Sequence, residues 1–215
     1  MVNASKIREV YNNRAKVYDK ILKRSGYHAT LQSILGTIYL DIKNSSRILD
    51  IGCGTGLASE VLIERFPHAE IFGLDYSEEM LHLYNNKFPD IQTILGDFNS
   101  GREFFLFPEG KPFSFRHGYF DLIISTGAVS EYGEKDKVIL FIHKLLKKNG
   151  IFVNVGIKKN VMSFVTGRIW HYTPMGRRNL INACRQFGFS NVNIIKIKWN
   201  RFPSNITKFV VRAVK

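Results

Sequence analysis

The sequence predicts an α/β fold: a seven-stranded, mostly parallel sheet with helices on both faces, an antiparallel carboxyl-terminal hairpin and amino-terminal helices acting as a lid. Three observations lead there. Short apolar runs alternate with helical patterns along most of the chain, which indicates a parallel sheet covered by helices on each side. The first such run, Ile48-Leu49-Asp50-Ile51, passes through Gly52-Cys53-Gly54-Thr55-Gly56 directly into a helical pattern. The last two β-rich runs, 192–199 and 206–214, have no helix between them and so pair most simply as antiparallel neighbours.

With 215 residues, 45% of them hydrophobic, and no low-complexity tract, the chain suits one folded domain. Its expected parts are a helical lid over 1–44 and a core over 45–215. The start, Met1-Val2-Asn3-Ala4-Ser5-Lys6, lacks the apolar centre of a leader peptide. No apolar run approaches the roughly 18–20 residues that cross a bilayer, so a cytoplasmic protein is expected. The two cysteines, Cys53 and Cys184, form neither a disulfide framework nor a zinc-spaced cluster, and no metal is expected. A net charge of +13 raises RNA or an anionic membrane as partners. The charge reads as scattered, with small concentrations at Lys147-Lys148, Lys158-Lys159 and Arg177-Arg178, a pattern that fits a solvated surface. No signal for an oligomeric state is present.

In chain order, Ile7, Val10, Tyr11, Val17, Tyr18, Ile21 and Leu22 recur at helical spacing. Leu31, Ile34, Leu35, Ile38, Tyr39 and Ile42 mark one face of a second helix. Both helices are expected across the top or flank of the sheet. Strand one, 47–51, leads through the glycines to a helix over 57–66, which Pro67 stops. Strand two, 71–75, ends in Asp75. Ser77 then caps a helix whose Glu78 and Glu79 suit the positive end of its dipole. Strand three, 91–95, ends at Gly96-Asp97-Phe98. From Asn99 to Tyr119, the glycines, prolines and Phe104, Phe105, Phe107, Phe113 and Phe115 predict a long loop. Strand four, 120–125, precedes an apolar helix over 138–146, closed by Lys147, Lys148 and Gly150. Strand five is 151–155, and a helix over 175–187 ends at Gly188.

In open sheets of this kind, ligands bind beyond the carboxyl ends of the strands, near the switch in strand order. Asp50 to Gly56, Asp75, Asp97 and Ser125-Thr126-Gly127 all fall there. Glycines let a ligand approach the backbone, and free N–H groups at a helix start favour electron-rich groups. A dinucleotide fingerprint needs G-x-G-x-x-G, whereas this run is G-x-G-x-G with Leu57 in the third glycine's place. The acids ending strands two and three strengthen a signal that is modest alone.

These residues resemble the class I S-adenosylmethionine-dependent methyltransferases, a Rossmann-like family. Residues 48–56 resemble its first motif, Gly73-Leu74-Asp75-Tyr76-Ser77 its second and Gly96-Asp97-Phe98 its third. Pro112-Phe113 followed by Gly118-Tyr119-Phe120-Asp121-Leu122-Ile123 is similar to the fourth, and Lys147-Lys148-Asn149-Gly150-Ile151 to the turn into strand five. Tyr11-Asn12-Asn13-Arg14-Ala15-Lys16-Val17-Tyr18-Asp19 resembles the lead-in of a small-molecule branch that includes ubiquinone- and menaquinone-type methyltransferases.

The resemblance implies S-adenosyl-L-methionine as cofactor, with S-adenosyl-L-homocysteine as product. It implies that Asp75 accepts from a ribose diol, that Asp97 and the Phe98 backbone meet the adenine edge, and that Tyr76 and Met80 cover the ring. Asp50, Gly52, Cys53 and Gly54 would face the methionine part, with Thr126 and Tyr18 as further contacts. Cys53 itself suits a small buried filler rather than a nucleophile.

Methyl transfer from a sulfonium needs alignment and desolvation more than a dedicated catalytic residue, and none is assigned. Where an acceptor must lose a proton, Glu131, Tyr132, His171 and Tyr172 are the candidate bases, with His143 expected on a helix flank. Strand four ends in Ser125-Thr126-Gly127-Ala128, without the Asn/Asp-Pro-Pro or Pro-Cys signatures of base-modifying enzymes, so nucleic acid is disfavoured as substrate. The aromatic stretches 104–115 and 161–172 are expected to wall a pocket for a small, hydrophobic acceptor, such as a quinone precursor or a lipid. An RNA methyltransferase and a non-catalytic cofactor-binding protein are the alternatives.

Overall fold

A computed structural model of the chain describes residues 4–24, 26–132, 134–160, 163–164, 167–168, 172–173 and 175–215, without the side chains at 4–7, 14 and 16. The helices are α1 (Ala4–Arg24), α2 (Tyr27–Thr37), α3 (Leu57–Arg65), α4 (Glu78–Lys87), α5 (Val129–Tyr132), α6 (Lys135–Leu145), α7 (Arg177–Gln186) and α8 (Ser204–Thr207). The strands are β1 (Arg47–Ile51), β2 (Glu70–Asp75), β3 (Gln92–Leu95), β4 (Phe104–Phe107), β5 (Pro112–Phe113), β6 (Phe120–Thr126), β7 (Leu146–Ile157), β8 (Ser190–Ile195) and β9 (Lys208–Val214). They form one sheet in the order β5-β4-β3-β2-β1-β6-β7-β9-β8.

The five central strands, β3-β2-β1-β6-β7, run parallel, and both outer pairs are antiparallel. Strand order switches direction at β1, which pairs β2 on one side and β6 on the other. The α/β class, parallel core and antiparallel carboxyl-terminal pair agree with expectation, but the sheet has nine strands where seven were expected. The added pair, β4 and β5, lies inside the span read as a loop. Those residues show neither clean alternation nor helical period, because β4 is short and its consecutive phenylalanines face both ways.

Alternation along the central strands sorts the core into two layers. Ile48, Ile71, Leu122, Ile151 and Val153 pack with α2 and α3, while Leu49, Phe72, Ile123 and Phe152 pack with α6 and α7. Strands buried on both faces need such continuous apolar runs. The helix after β6 ends at Leu145 and the strand begins at once, so Gly150 lies within β7 and closes no helix.

The two amino-terminal helices separate in role. Leu31, Ile34 and Leu35 bury α2 against the α3 face. Only α1 crosses the carboxyl ends of the strands. Arg8 Nε donates to Tyr76 O at 2.8 Å, and Ser77 Oγ donates to Asn12 Oδ1. Asp19 accepts from Thr55 Oγ1 with one oxygen and from Lys87 Nζ with the other, while Lys87 also donates to Thr55 O at 2.8 Å.

Candidate active site

The site grows from the turn after β1. Gly52 and Gly54 stand at φ 69° and 55°, a region that strains other residues. A Cβ on Gly52 would lie 2.2 Å from Ala128 Cβ, so the turn passes the β6–α5 connection only as glycine. The N–H groups of the turn itself are engaged within the protein, upstream of the helix start at Leu57. Gly52 and Cys53 donate to Leu74 O at 2.7 and 3.1 Å, and Gly54 donates to Asp75 Oδ2 at 2.9 Å. The turn therefore offers close backbone approach and fixes the neighbouring acid.

Asp75 is buried, and its Oδ1 accepts from Ser77 N at 2.9 Å while Ser77 Oγ caps α4 by accepting from Met80 N. Burial raises the Asp75 pKa, opposed by the backbone N–H groups of Ser77, Gly54 and Tyr76. Each carboxylate oxygen retains acceptor capacity after one bond, so capping and accepting from a ligand diol are compatible. Asp50 is fully buried. Ser59 Oγ donates to its Oδ2 at 2.9 Å, and Oδ1 has no partner. Burial pushes its pKa up to about 7, helped by the nearby Asp75 charge and resisted by Ser59. The Cys53 side chain turns away to pack with Leu81 and Tyr84, where burial raises its pKa well above the usual thiol range. Its side chain is an inert filler.

Beyond β2 and β3 opens a cavity of about 470 Å³ lined by Arg8, Tyr76, Leu95, Gly96, Asp97, Glu103 and Phe105. Asp97 is half-buried at its edge and accepts from Asn99 N through Oδ1 at 2.8 Å. The Tyr76 hydroxyl is buried without a partner. Met80, expected over the ring, is wholly buried and is not among the lining residues, which instead include Leu95 and Phe105. Phe98 belongs to the core and is not among the residues lining this cavity.

On the β6 side, Thr126 ends its strand half-buried beside Gly127, and tyrosines gather beneath α1. Tyr11 and Tyr132 hydroxyls meet at 3.0 Å, and Tyr18, Tyr76 and Tyr132 each present a ring edge or face to Tyr11 within 6.5 Å. Tyr18 also faces Gly54, 3.9 Å from where a Cβ would stand. Burial raises the pKa of Tyr11, Tyr18, Tyr76 and Tyr132, so all remain neutral phenols at ordinary pH and are poor bases.

Among the candidate bases, Glu131 is buried with Oε2 accepting from Ser130 Oγ at 2.7 Å and Oε1 from Ile157 N at 2.8 Å, a structural arrangement. Tyr172 is buried against Tyr132, and His171 lies outside the described residues. His143 packs on Phe189 at the α6 flank, away from the site as expected.

With Phe98, Phe141 and Lys144, the aromatic stretch 104–115 lines a second cavity, of about 550 Å³. It adds to the β3 edge, opposite β6 and β7, where Phe104, Phe113 and Phe115 pack with one another and with Phe141 of α6. Of these rings only Phe105 turns to the cavity at Tyr76 and Asp97. The stretch 161–172 lies largely outside the described residues. Sequence reasoning missed Arg8 and the Asp19–Thr55–Lys87 contact, and it set Phe105 beside an acceptor rather than beside Tyr76 and Asp97. The Tyr-Asp lead-in pointed at Tyr18 and Asp19, but their partners stand too far along the chain to be read from it.

A family model described as a methyltransferase domain matches residues 42–167, the span holding the glycine turn, Asp75, Asp97 and Thr126. The chain belongs to the methyltransferase domain family. Among curated relatives of this methyltransferase-family chain, malonyl-acyl-carrier protein O-methyltransferase of Priestia megaterium is 28% identical over 70% of this chain and 50% of that protein. Demethylmenaquinone methyltransferase of Thermotoga maritima is 27% identical over 60% and 51%. The chain thus spans about half the length of these relatives. The structure of phosphoethanolamine N-methyltransferase 2 from Haemonchus contortus, in complex with S-adenosyl-L-methionine, superimposes with a TM-score of 0.71 at 15% identity. It covers 95% of this chain and 57% of that one, a likeness of fold.

Proposed function

We propose that this chain is an S-adenosylmethionine-dependent methyltransferase acting on a small acceptor. The observation that carries the reading is the joining of the two strand ends: the glycine turn after β1 donates through Gly54 N–H to Asp75 Oδ2 at the end of β2. Backbone and fixed acid thereby converge at the switch in strand order, where such sheets bind ligands.

The residues present fit the cofactor. The cavity between Tyr76, Leu95 and Phe105, edged by Asp97, suits a flat heteroaromatic ring with a polar rim. Asp75 has acceptor capacity for a diol, and the unpartnered Asp50 Oδ1 suits a cationic donor such as an amino group. Gly52, Cys53 and Gly54 would border the cofactor by backbone, with Phe98 contributing its own, and with Thr126 and Tyr18 as further contacts.

The bound cofactor supplies an activated methyl group on sulfur. This chain's part is to hold that group, align the acceptor and exclude water, with α1 and its tyrosines covering the strand ends. Neutral phenols and the engaged Glu131 suit positioning rather than proton removal, so an acceptor that is already nucleophilic fits best. A hydrophobic acceptor, quinone-precursor or lipid-like, accords with the tyrosine wall and with similarity to the demethylmenaquinone enzyme.

Calorimetric titration tests the cofactor directly. S-adenosyl-L-homocysteine should bind in the micromolar range or tighter and NAD should not. Binding of NAD alone would overturn the proposal. A labelled-methyl screen against quinone precursors, lipids and hydrophilic acids then addresses the acceptor, and transfer confined to hydrophilic acids would overturn the hydrophobic class.

A further inference from the structure

The positive charge, which first reads as scattered, is sharply divided. Residues 137–215 contain 16 Lys and Arg and no Asp or Glu, whereas residues 1–136 carry 15 basic and 18 acidic side chains. The basic part includes β7, β9 and β8, so the charge occupies one lateral half of the sheet.

That half also carries a cluster of exposed apolar side chains. In the connection from β8 to β9, Trp199 is 86% exposed, Phe202 75% and Ile206 54%. Isolated apolar residues on a surface need no explanation, but three within one short connection do. Lys196, Lys198 and Arg201 alternate with them, and Lys196 and Lys198 are exposed.

The connection is built to hold this display. Asn205 Nδ2 donates to Trp199 O at 2.9 Å, and Asn205 N donates to Arg201 O at 2.9 Å. Lys158 clamps the base, donating from Nζ to Asn205 O at 2.8 Å and from its backbone N to Thr207 O at 2.7 Å. Thr30 Oγ1 on α2 donates to Ser204 Oγ at 2.9 Å. The polar groups thus face inward and the rings outward. Because β9 is antiparallel to β7, with Lys208 paired to Ile157, the connection stands at the carboxyl ends of the parallel strands, on the side of the candidate active site.

We propose that residues 196–206 dock the protein on an anionic phospholipid surface. Trp199, Phe202 and Ile206 enter the boundary between headgroups and acyl chains, and Lys196, Lys198 and Arg201 meet anionic headgroups. Aromatic rings favour that boundary, and clustered basic residues are drawn to negative leaflets. A second copy is the poorer occupant, since a two-fold contact would bring the same cations of each chain face to face. Docking here would open the site toward the bilayer, but it does not depend on the methyl-transfer reading.

Sedimentation with vesicles tests the proposal. The wild type should bind vesicles of phosphatidylcholine with about one-third phosphatidylglycerol, weakening with salt, and should leave pure phosphatidylcholine vesicles free. Trp199→Ala/Phe202→Ala keeps the charge and should lose on the order of tenfold or more in affinity. Lys196→Glu/Lys198→Glu/Arg201→Glu should lose far more than Lys137→Glu/Lys144→Glu/Lys148→Glu, an equal charge change elsewhere in the basic half. Circular dichroism and unchanged S-adenosyl-L-homocysteine titration would show the variants folded. Equal binding by the wild type and the aromatic double variant would overturn the proposal. So would a wild-type dimer that the double variant dissolves, or tighter binding to single-stranded RNA that the double variant abolishes.

Discussion

Gly54 N–H donates to Asp75 Oδ2 at 2.9 Å, joining the turn after the first strand to the acid that ends the second. Neither residue can change without moving the other. Asp75→Asn replaces an anionic acceptor with a neutral amide that can present an oxygen to Gly54 or to Ser77, but not to both. Losing hydrogen bonds to a charged acceptor should weaken S-adenosyl-L-homocysteine binding by roughly 1.5–3 kcal/mol and lower stability by about 1–3 kcal/mol. Calorimetry and urea unfolding read the two separately, and an unchanged affinity would remove Asp75 from the cofactor site.

Gly52 makes a steric prediction independent of any ligand. Alanine there would adopt φ 69° and set its Cβ 2.2 Å from Ala128 Cβ. Left-handed backbone costs roughly 1–2 kcal/mol and overpacking roughly 1–3. Gly52→Ala should therefore lose about 2–5 kcal/mol. Adding Ala128→Gly should recover the overpacking part only, a coupling that a double-mutant cycle in urea would measure. Additive losses would mean that the two positions do not meet.

The central strands were legible because burial on both faces demands continuous apolar runs, which Ile48-Leu49 and Leu122-Ile123-Ile124 provide. The strand-end acids were legible because the fold dictates where ligands sit. What escaped depended on contacts distant in sequence. Nothing in Phe104-Phe105-Leu106-Phe107 states that it pairs with β3, and nothing near Asp19 announces Lys87. The division of charge was visible in the sequence but is lost when net charge is taken over the whole chain. It acquires meaning once β7, β9 and β8 are seen side by side.

The contact of Asp19 with Thr55 and Lys87 holds the carboxyl-terminal part of α1 over the glycine turn and α4. Asp19 and Lys87 are partly exposed, so the pair is screened and contributes about 1 kcal/mol at most. Its effect should appear in kinetics more than in global stability. Asp19→Ala should leave the thermal midpoint within a few degrees, make α1 more susceptible to trypsin and speed S-adenosyl-L-homocysteine dissociation by roughly fivefold. Stopped-flow displacement measures the last, and an unchanged dissociation rate would mean that α1 does not gate the site.

Asp50 supplies the pH dependence. Its carboxyl is pushed up to about 7 by burial, so the folded protein holds a proton that the unfolded chain releases near pH 4. The stabilisation this provides is complete below about pH 4, declines as pH rises and is gone above about pH 7. It amounts to about 4 kcal/mol at the limit. Asp50→Asn mimics the protonated form and should flatten that decline between pH 5 and 8 in urea unfolding. A cationic group arriving at the unpartnered Oδ1 favours the carboxylate and pulls the pKa down. Near pH 6, S-adenosyl-L-homocysteine binding should therefore release a proton from wild type, seen calorimetrically as a binding enthalpy that changes with buffer ionisation enthalpy. Asp50→Asn should bind without that release. Equal buffer dependence in the two proteins would place the amino group of the cofactor away from Asp50.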